Sequence, residues 1–182
     1  MKEIQESIGR SIEGFRLPKY SEIPDVGLFL EQTTKYICQC LAPLGVTITG
    51  SMISNYVKMK LIASPVKKQY SREQIAYLLF IAVGKSVLSL ENIQILFQLQ
   101  KRTYSTQRAY EYFCEEFENV LFLVFGLKQE SDVVGEDISQ LKQMLRNTII
   151  TVCHKIYLEK CFREIGRLEE SNTTGEPSLI YI

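Results

Sequence analysis

The chain has 182 residues, 46% of them hydrophobic, with 21 basic and 21 acidic side chains and a formal net charge of zero. A chain of this length buries an adequate core without a metal or disulfide staple, and its balanced charge excludes a protein-wide field as the source of any partner preference. Five cysteines, an odd number without a Cys-x-x-Cys pair, argue against a disulfide framework and for a reducing, cytoplasmic setting.

Met1 leads into a charged, periodic segment without the apolar run of a signal peptide. Ile4, Ile8, Ile12 and Phe15 recur at steps of three and four and predict a first amphipathic helix, bounded by Gly14 and Pro18. Pro24 and Asp25 open a predicted second helix with Phe29, Leu30, Thr33, Ile37 and Leu41 along one side, ending near Pro43 and Gly45. Thr49 is a suitable N-cap for a short third helix over 50–60. Pro65 forbids simple continuation, so 61–70 is expected to be a turn or small wing. Ser71 with Gln74 forms a capping-box pattern for a fourth helix, and Ser89 caps a fifth. A sixth helix is expected over 105–127, apolar all round in its second half and so buried. Residues 126–135 read as a loop, 137–169 as a long last helix, and the tail from Ser171 as loose. Strand signals are confined to Val46–Ile48 and the flanks of the 61–70 turn. The longest apolar run, Val120–Leu127, is too short to span a bilayer, so no membrane partner is expected.

Charge is distributed unevenly. No acidic residue lies between Glu31 and Glu73, whereas that interval holds Lys35, Lys58, Lys60, Lys67, Lys68 and Arg72. A basic block in a neutral chain points to an anionic partner. A recognition helix for duplex DNA needs small polar side chains toward the bases and cations toward the phosphates. The third helix offers Ser51, Ser54, Asn55 and Tyr56 to the groove, with Lys58, Lys60, Lys67, Lys68 and Arg72 for the phosphates. Arginine, the commonest reader of guanine, is absent from that helix.

The pattern Tyr56-x4-Leu61-Ile62, Lys68-x-Tyr70-Ser71, Ile75-x2-Leu78-x-Phe80-Ile81 and Leu88-Ser89-Leu90-Glu91-x-Ile93 resembles the N-terminal domain of MerR-type regulators. The resemblance covers about a quarter of the chain. It implies a winged helix-turn-helix that binds DNA as a dimer, with Tyr56, Lys68 and Tyr70 at its DNA-facing edge. The chain departs from that pattern at Lys60, which stands where the family has Gly, and in a shortened wing without Gly-Tyr-Arg. As a whole the chain resembles the bacterial domain-of-unknown-function family 1836. The likeness rests on Ile23-Pro24-Asp25 to Leu41-Ala42-Pro43, on Ser51-Met52-Ile53-x-Asn55-Tyr56-Val57-Lys58, and on Pro65-Val66-Lys67-Lys68-x-Tyr70-Ser71-Arg72.

Enzymatic chemistry finds little support. The single histidine, His154, adjoins Cys153 on one helix, where neighbours do not share a face. Cys38 and Cys40 point apart on a helix, and no Gly-rich phosphate loop is present. No cofactor or metal is expected. The aromatic residues Tyr104, Tyr110, Tyr112, Phe113, Phe117, Phe122 and Phe125 either pack a core or line an effector pocket. The last helix packs within the chain or pairs with a second copy in a homodimer. The sequence therefore predicts an all-α protein. Residues 1–22 are an extension, 23–100 a MerR-like helix-turn-helix module, 101–170 a helical bundle for dimerisation or effector sensing, and 171–182 a flexible tail. The leading expectation is a bacterial transcription regulator that binds double-stranded DNA, and the alternative is a non-catalytic protein-interaction module of the same shape.

Overall fold

The computed structural model describes residues 2–130 and 139–173. Seven helices occur among them: α1 (Lys2–Arg10), α2 (Leu30–Leu41), α3 (Gly50–Lys58), α4 (Arg72–Gly84), α5 (Leu90–Thr103), α6 (Thr106–Val124) and α7 (Gln140–Thr173). The fold is all-α apart from two short strands, β1 (Leu28–Phe29) and β2 (Gln69–Tyr70), paired antiparallel with Leu28 opposite Tyr70 and Phe29 opposite Gln69. No helix among the described residues is long and apolar enough to cross a membrane.

Local sequence chemistry starts four of the helices. The side chains of Thr49, Ser71, Ser89 and Ser105 accept hydrogen bonds from the backbone N–H groups of Met52, Gln74, Asn92 and Arg108, each satisfying a donor that the first helical turn leaves without a partner. At Ser71 the box is reciprocal, because the Ser71 N–H donates to Gln74 Oε1 at 2.8 Å. The same Gln74 donates through Nε2 to the Ala63 carbonyl at 2.7 Å, which fastens the 61–70 segment to α4.

Several boundaries differ from expectation. Helix α2 starts at Leu30, not at Pro24, and β1 occupies part of the interval. Gly27 has φ +73°, and its Cα lies so close to Gln69 that a Cβ would sit 3.1 Å from the Gln69 Cβ. Strand pairing, a non-local contact, thus overrides the helix-start signal of Pro24-Asp25. Helix α1 ends at Arg10, yet Ile12 and Phe15 remain buried in the turns that follow. Val46–Ile48 forms no strand. Helix α7 continues to Thr173, past its expected end at Glu169, and the expected start at Asp137 and the rest of the expected tail lie outside the described residues.

The core is continuous from Ile8 to Ile156. Helix α4 is its axis: every residue from Gln74 to Gly84 is buried. Ile8, Ile12, Phe15 and Leu17 join the core, so the expected extension packs onto the rest. The Phe15 and Phe117 rings meet edge-on at 6.4 Å, the Leu17 N–H donates to Glu118 Oε1 at 2.8 Å, and the Tyr110 hydroxyl donates to the Pro18 carbonyl at 3.0 Å. Helix α1 lies on α7, where the Ser7 hydroxyl donates to Glu164 Oε1 at 2.9 Å and Lys160 Nζ to Ser11 Oγ at 2.8 Å.

Helix α3 ends in a Schellman motif. The Leu61 N–H donates to the Tyr56 carbonyl and the Lys60 N–H to the Val57 carbonyl. The residue that turns the chain is Lys60, at φ +57°. Glycine is the usual occupant of this left-handed position because a Cβ is disfavoured there. Lys60→Gly is expected to raise stability by about 0.5–1 kcal/mol, after allowing for glycine's larger unfolded-state entropy; an unchanged or lower urea midpoint would show that no strain is stored there. Leu78, fully buried at the middle of α4, is expected to cost about 2–5 kcal/mol when replaced by Ala, read as a shift of the same midpoint at constant slope.

Candidate nucleic-acid interface

Helix α3 has an inner and an outer side. Ile53 and Tyr56 are buried, whereas Ser51, Asn55, Lys58 and Met59 are exposed. Ser51 shares a hydrogen bond with Thr49 at the helix start, and Asn55 Nδ2 reaches Met59 Sδ at 3.5 Å. Ser54, expected to face outward, is half-buried and its hydroxyl donates to the Gly50 carbonyl at 2.9 Å. The outer polar pair of α3 is therefore Ser51 and Asn55.

Tyr56 and Tyr70, expected at the outer edge, have buried rings, 3% and 4% exposed. Burial raises the pKa of both phenols, so each stays a neutral hydrogen-bond donor at physiological pH. Neither phenol oxygen is enclosed without a hydrogen-bond partner.

The 61–70 segment is a tight hairpin. Val66 and Gln69 exchange both backbone hydrogen bonds, at 2.9 and 3.1 Å, and only Lys67 and Lys68 lie between them. Their φ values are +51° and +65°. A two-residue loop with both central residues at positive φ has the backbone of a type I′ turn, normally built from Asn-Gly. Strand β2 then pairs with β1, giving a small three-rung edge that holds the turn away from the core. A turn is present within 61–70, as expected from Pro65, but its tip falls on Lys67 and Lys68, which carry no Asn-Gly signature.

Lys60, Lys67 and Lys68 are the non-glycine residues at positive φ among the described residues. Each is exposed, as are Lys35 on α2 and Lys58 on α3. None of these five makes an ion pair or side-chain hydrogen bond among the described residues. Arg72 differs. Its Nε donates to the Ile23 carbonyl at 2.8 Å, Nη1 lies 3.8 Å from Asp25, and the guanidinium sits over the Tyr20 ring. It clamps the 20–25 segment onto the start of α4, and its expected outward position gives way to that role. Lys85 supports the assembly from behind, half-buried with Nζ 3.5 Å from the Thr47 carbonyl and its pKa lowered by burial. Arg163 of α7 lies against Gly45, in the connection between α2 and α3.

The aromatic residues of the C-terminal half divide. Phe113, Phe117 and Phe125 pack in the core, whereas Tyr104 and Tyr112 are half-buried beside a cavity between α4, α5, α6 and the start of α7, which Ala109 and Leu145 also line.

No curated protein and no solved structure matches the chain. A family model described as a domain of unknown function, DUF1836, matches residues 18–113. That span holds the clamped 20–25 segment, both strands, α2 to α5 and the first turns of α6. The match covers more than half of the sequence, and the chain belongs to the DUF1836 family.

Proposed function

We propose that this chain binds duplex DNA as a winged helix-turn-helix regulator of MerR type, with α2 and α3 as the helix pair and the 61–70 hairpin as the wing. One observation carries the reading: among the described residues the three non-glycine residues in left-handed backbone are all lysines, all exposed, and all in the acid-free interval. Left-handed backbone costs a side chain about 1–2 kcal/mol relative to its usual conformations, and such strain gathers at binding sites. A solvated lysine face needs no such geometry. The cost is explained if the positions must present cations to phosphates. On this reading Ser51 and Asn55 face the groove, Lys58, Lys60, Lys67 and Lys68 contact phosphates, and the hydroxyls of Tyr56 and Tyr70 add donors at the edge. Arg72 holds the module together.

Binding to a two-fold site requires two copies, with recognition helices one DNA turn apart. Helix α7, about 51 Å long at 1.5 Å per residue, shows Leu158 and Phe162 one turn apart, 52% and 69% exposed. This stripe is our assignment for the contact between copies.

Exposed Val66 and Phe29, beside the same lysines, favour a second reading, an acidic protein partner with an apolar centre.

Lys67→Asn with Lys68→Gly separates the cost of the turn from its use. The double variant is expected to be more stable than the parent by about 1 kcal/mol or more, yet to bind duplex DNA more weakly. The slope of log K against log salt should be shallower by about 1.8 per copy. Undiminished affinity and slope would overturn the DNA reading, and a parent that binds no duplex at low salt would favour the protein partner. Leu158→Glu with Phe162→Glu is expected to halve the mass in sedimentation equilibrium while leaving helicity intact; a parent already monomeric at micromolar concentration would sink the dimer.

A further inference from the structure

The cavity beside Tyr104 and Tyr112 has a volume of about 290 Å³ and opens on one side. Its floor is apolar and ring-lined: the Phe80 ring packs against Phe97 at 5.5 Å and against Phe113 at 5.1 Å, and Tyr77 against Phe97 at 4.6 Å. The polar groups in its wall are already engaged. The Tyr77 hydroxyl donates to Gln100 Oε1 at 2.9 Å, Gln100 Nε2 donates to the Tyr104 carbonyl at 2.7 Å, and Thr106 Oγ1 donates to Glu73 at 2.6 Å. Gln100, 8% exposed, is held rigidly by this chain of bonds.

At the mouth the charges balance. Arg108 and Lys142 stand against Glu111 and Glu115. The two cations lie over the faces of Tyr104 and Tyr112, at 5.4 and 5.1 Å, and Glu111 accepts a hydrogen bond from Gln107. The site therefore has no net charge to select an ion, and no enclosed polar group that asks for a polar ligand. A charged guest would lose hydration without a dedicated partner.

We infer that this cavity is a binding site for an uncharged, planar aromatic molecule of two fused rings. Size sets the ring count: a closed apolar cavity of about 150 Å³ holds one benzene, and this one is about twice that volume. Chemistry sets the class, because four ring side chains offer flat faces and edges for stacking. Remaining lone pairs on Gln100 Oε1 and the Tyr77 oxygen accept one O–H or N–H from the guest. The site does not depend on DNA binding, since none of its residues belongs to the basic surface.

The test uses the full chain with three probes sharing one ring system: 2-naphthol, 2-naphthoate and 2-naphthylmethylammonium. Calorimetry and ligand-observed NMR are expected to show one saturable site for 2-naphthol, with at least about tenfold weaker binding of both charged twins. Ala109→Trp, which fills the mouth, should abolish 2-naphthol binding while circular dichroism stays that of the parent. Leu145→Trp serves as the second filling variant if the first does not fold. A charged twin that binds as tightly as 2-naphthol overturns the ligand class. Absence of saturable binding by all three overturns the site, as does unchanged 2-naphthol binding in a folded filling variant.

Discussion

Burial of α4 on every side is the constraint from which the other contacts follow. A thirteen-residue helix with an unbroken buried run from Gln74 to Gly84 cannot be half of a two-layer packing. It must be surrounded, and α2, α5, α6 and α7 supply the surroundings. Its polar first turn ties down two segments that precede it in the chain. Gln74 takes the Ala63 carbonyl and Arg72 takes the Ile23 carbonyl. The hairpin and the segment before β1 are thus both fastened to one rigid end, and the strand pairing between them is a result of that double attachment. The middle of the same helix forms a wall of the aromatic cavity through Ala76, Tyr77 and Phe80.

Much of this was legible from local chemistry. Ser71 and Gln74 announce the start of α4, Ser89 and Thr49 announce two others, and the four-residue spacing of Ile4 and Ile8 marks the face that α1 turns to the core. What escaped depends on partners distant in sequence. Pro24-Asp25 has the chemistry of a helix start, but Gly27 and the pairing with Gln69 hold that stretch extended. Arg72 has the sequence context of a surface cation, and only the fold brings the carbonyls of Ser21 and Ile23 to it. In the nine-residue α3, polar and apolar positions are too few to fix which side is inner, so the burial of Tyr56 and the inward hydroxyl of Ser54 were not determined by periodicity.

The basic surface and the core place opposite demands on the backbone. In the core the chain follows its preferences, with capped helices and buried rings in edge-on contact. At Lys60, Lys67 and Lys68 it goes against them. All three are exposed, so packing does not impose the unusual geometry. The residues that close the hairpin's backbone hydrogen bonds, Val66 and Gln69, impose it at two of them, and the end of α3 imposes it at the third.

The contact between α1 and α7 has a consequence for how the chain acquires its structure. Ser7 and Glu164 are separated by 157 positions, and Ser11 and Lys160 by 149. During synthesis the segment that emerges early has its docking surface completed only after nearly all the other described elements have left the ribosome. Ile8 and Ile12 therefore lack their final cover until α7 has been made, and these highly non-local contacts form late.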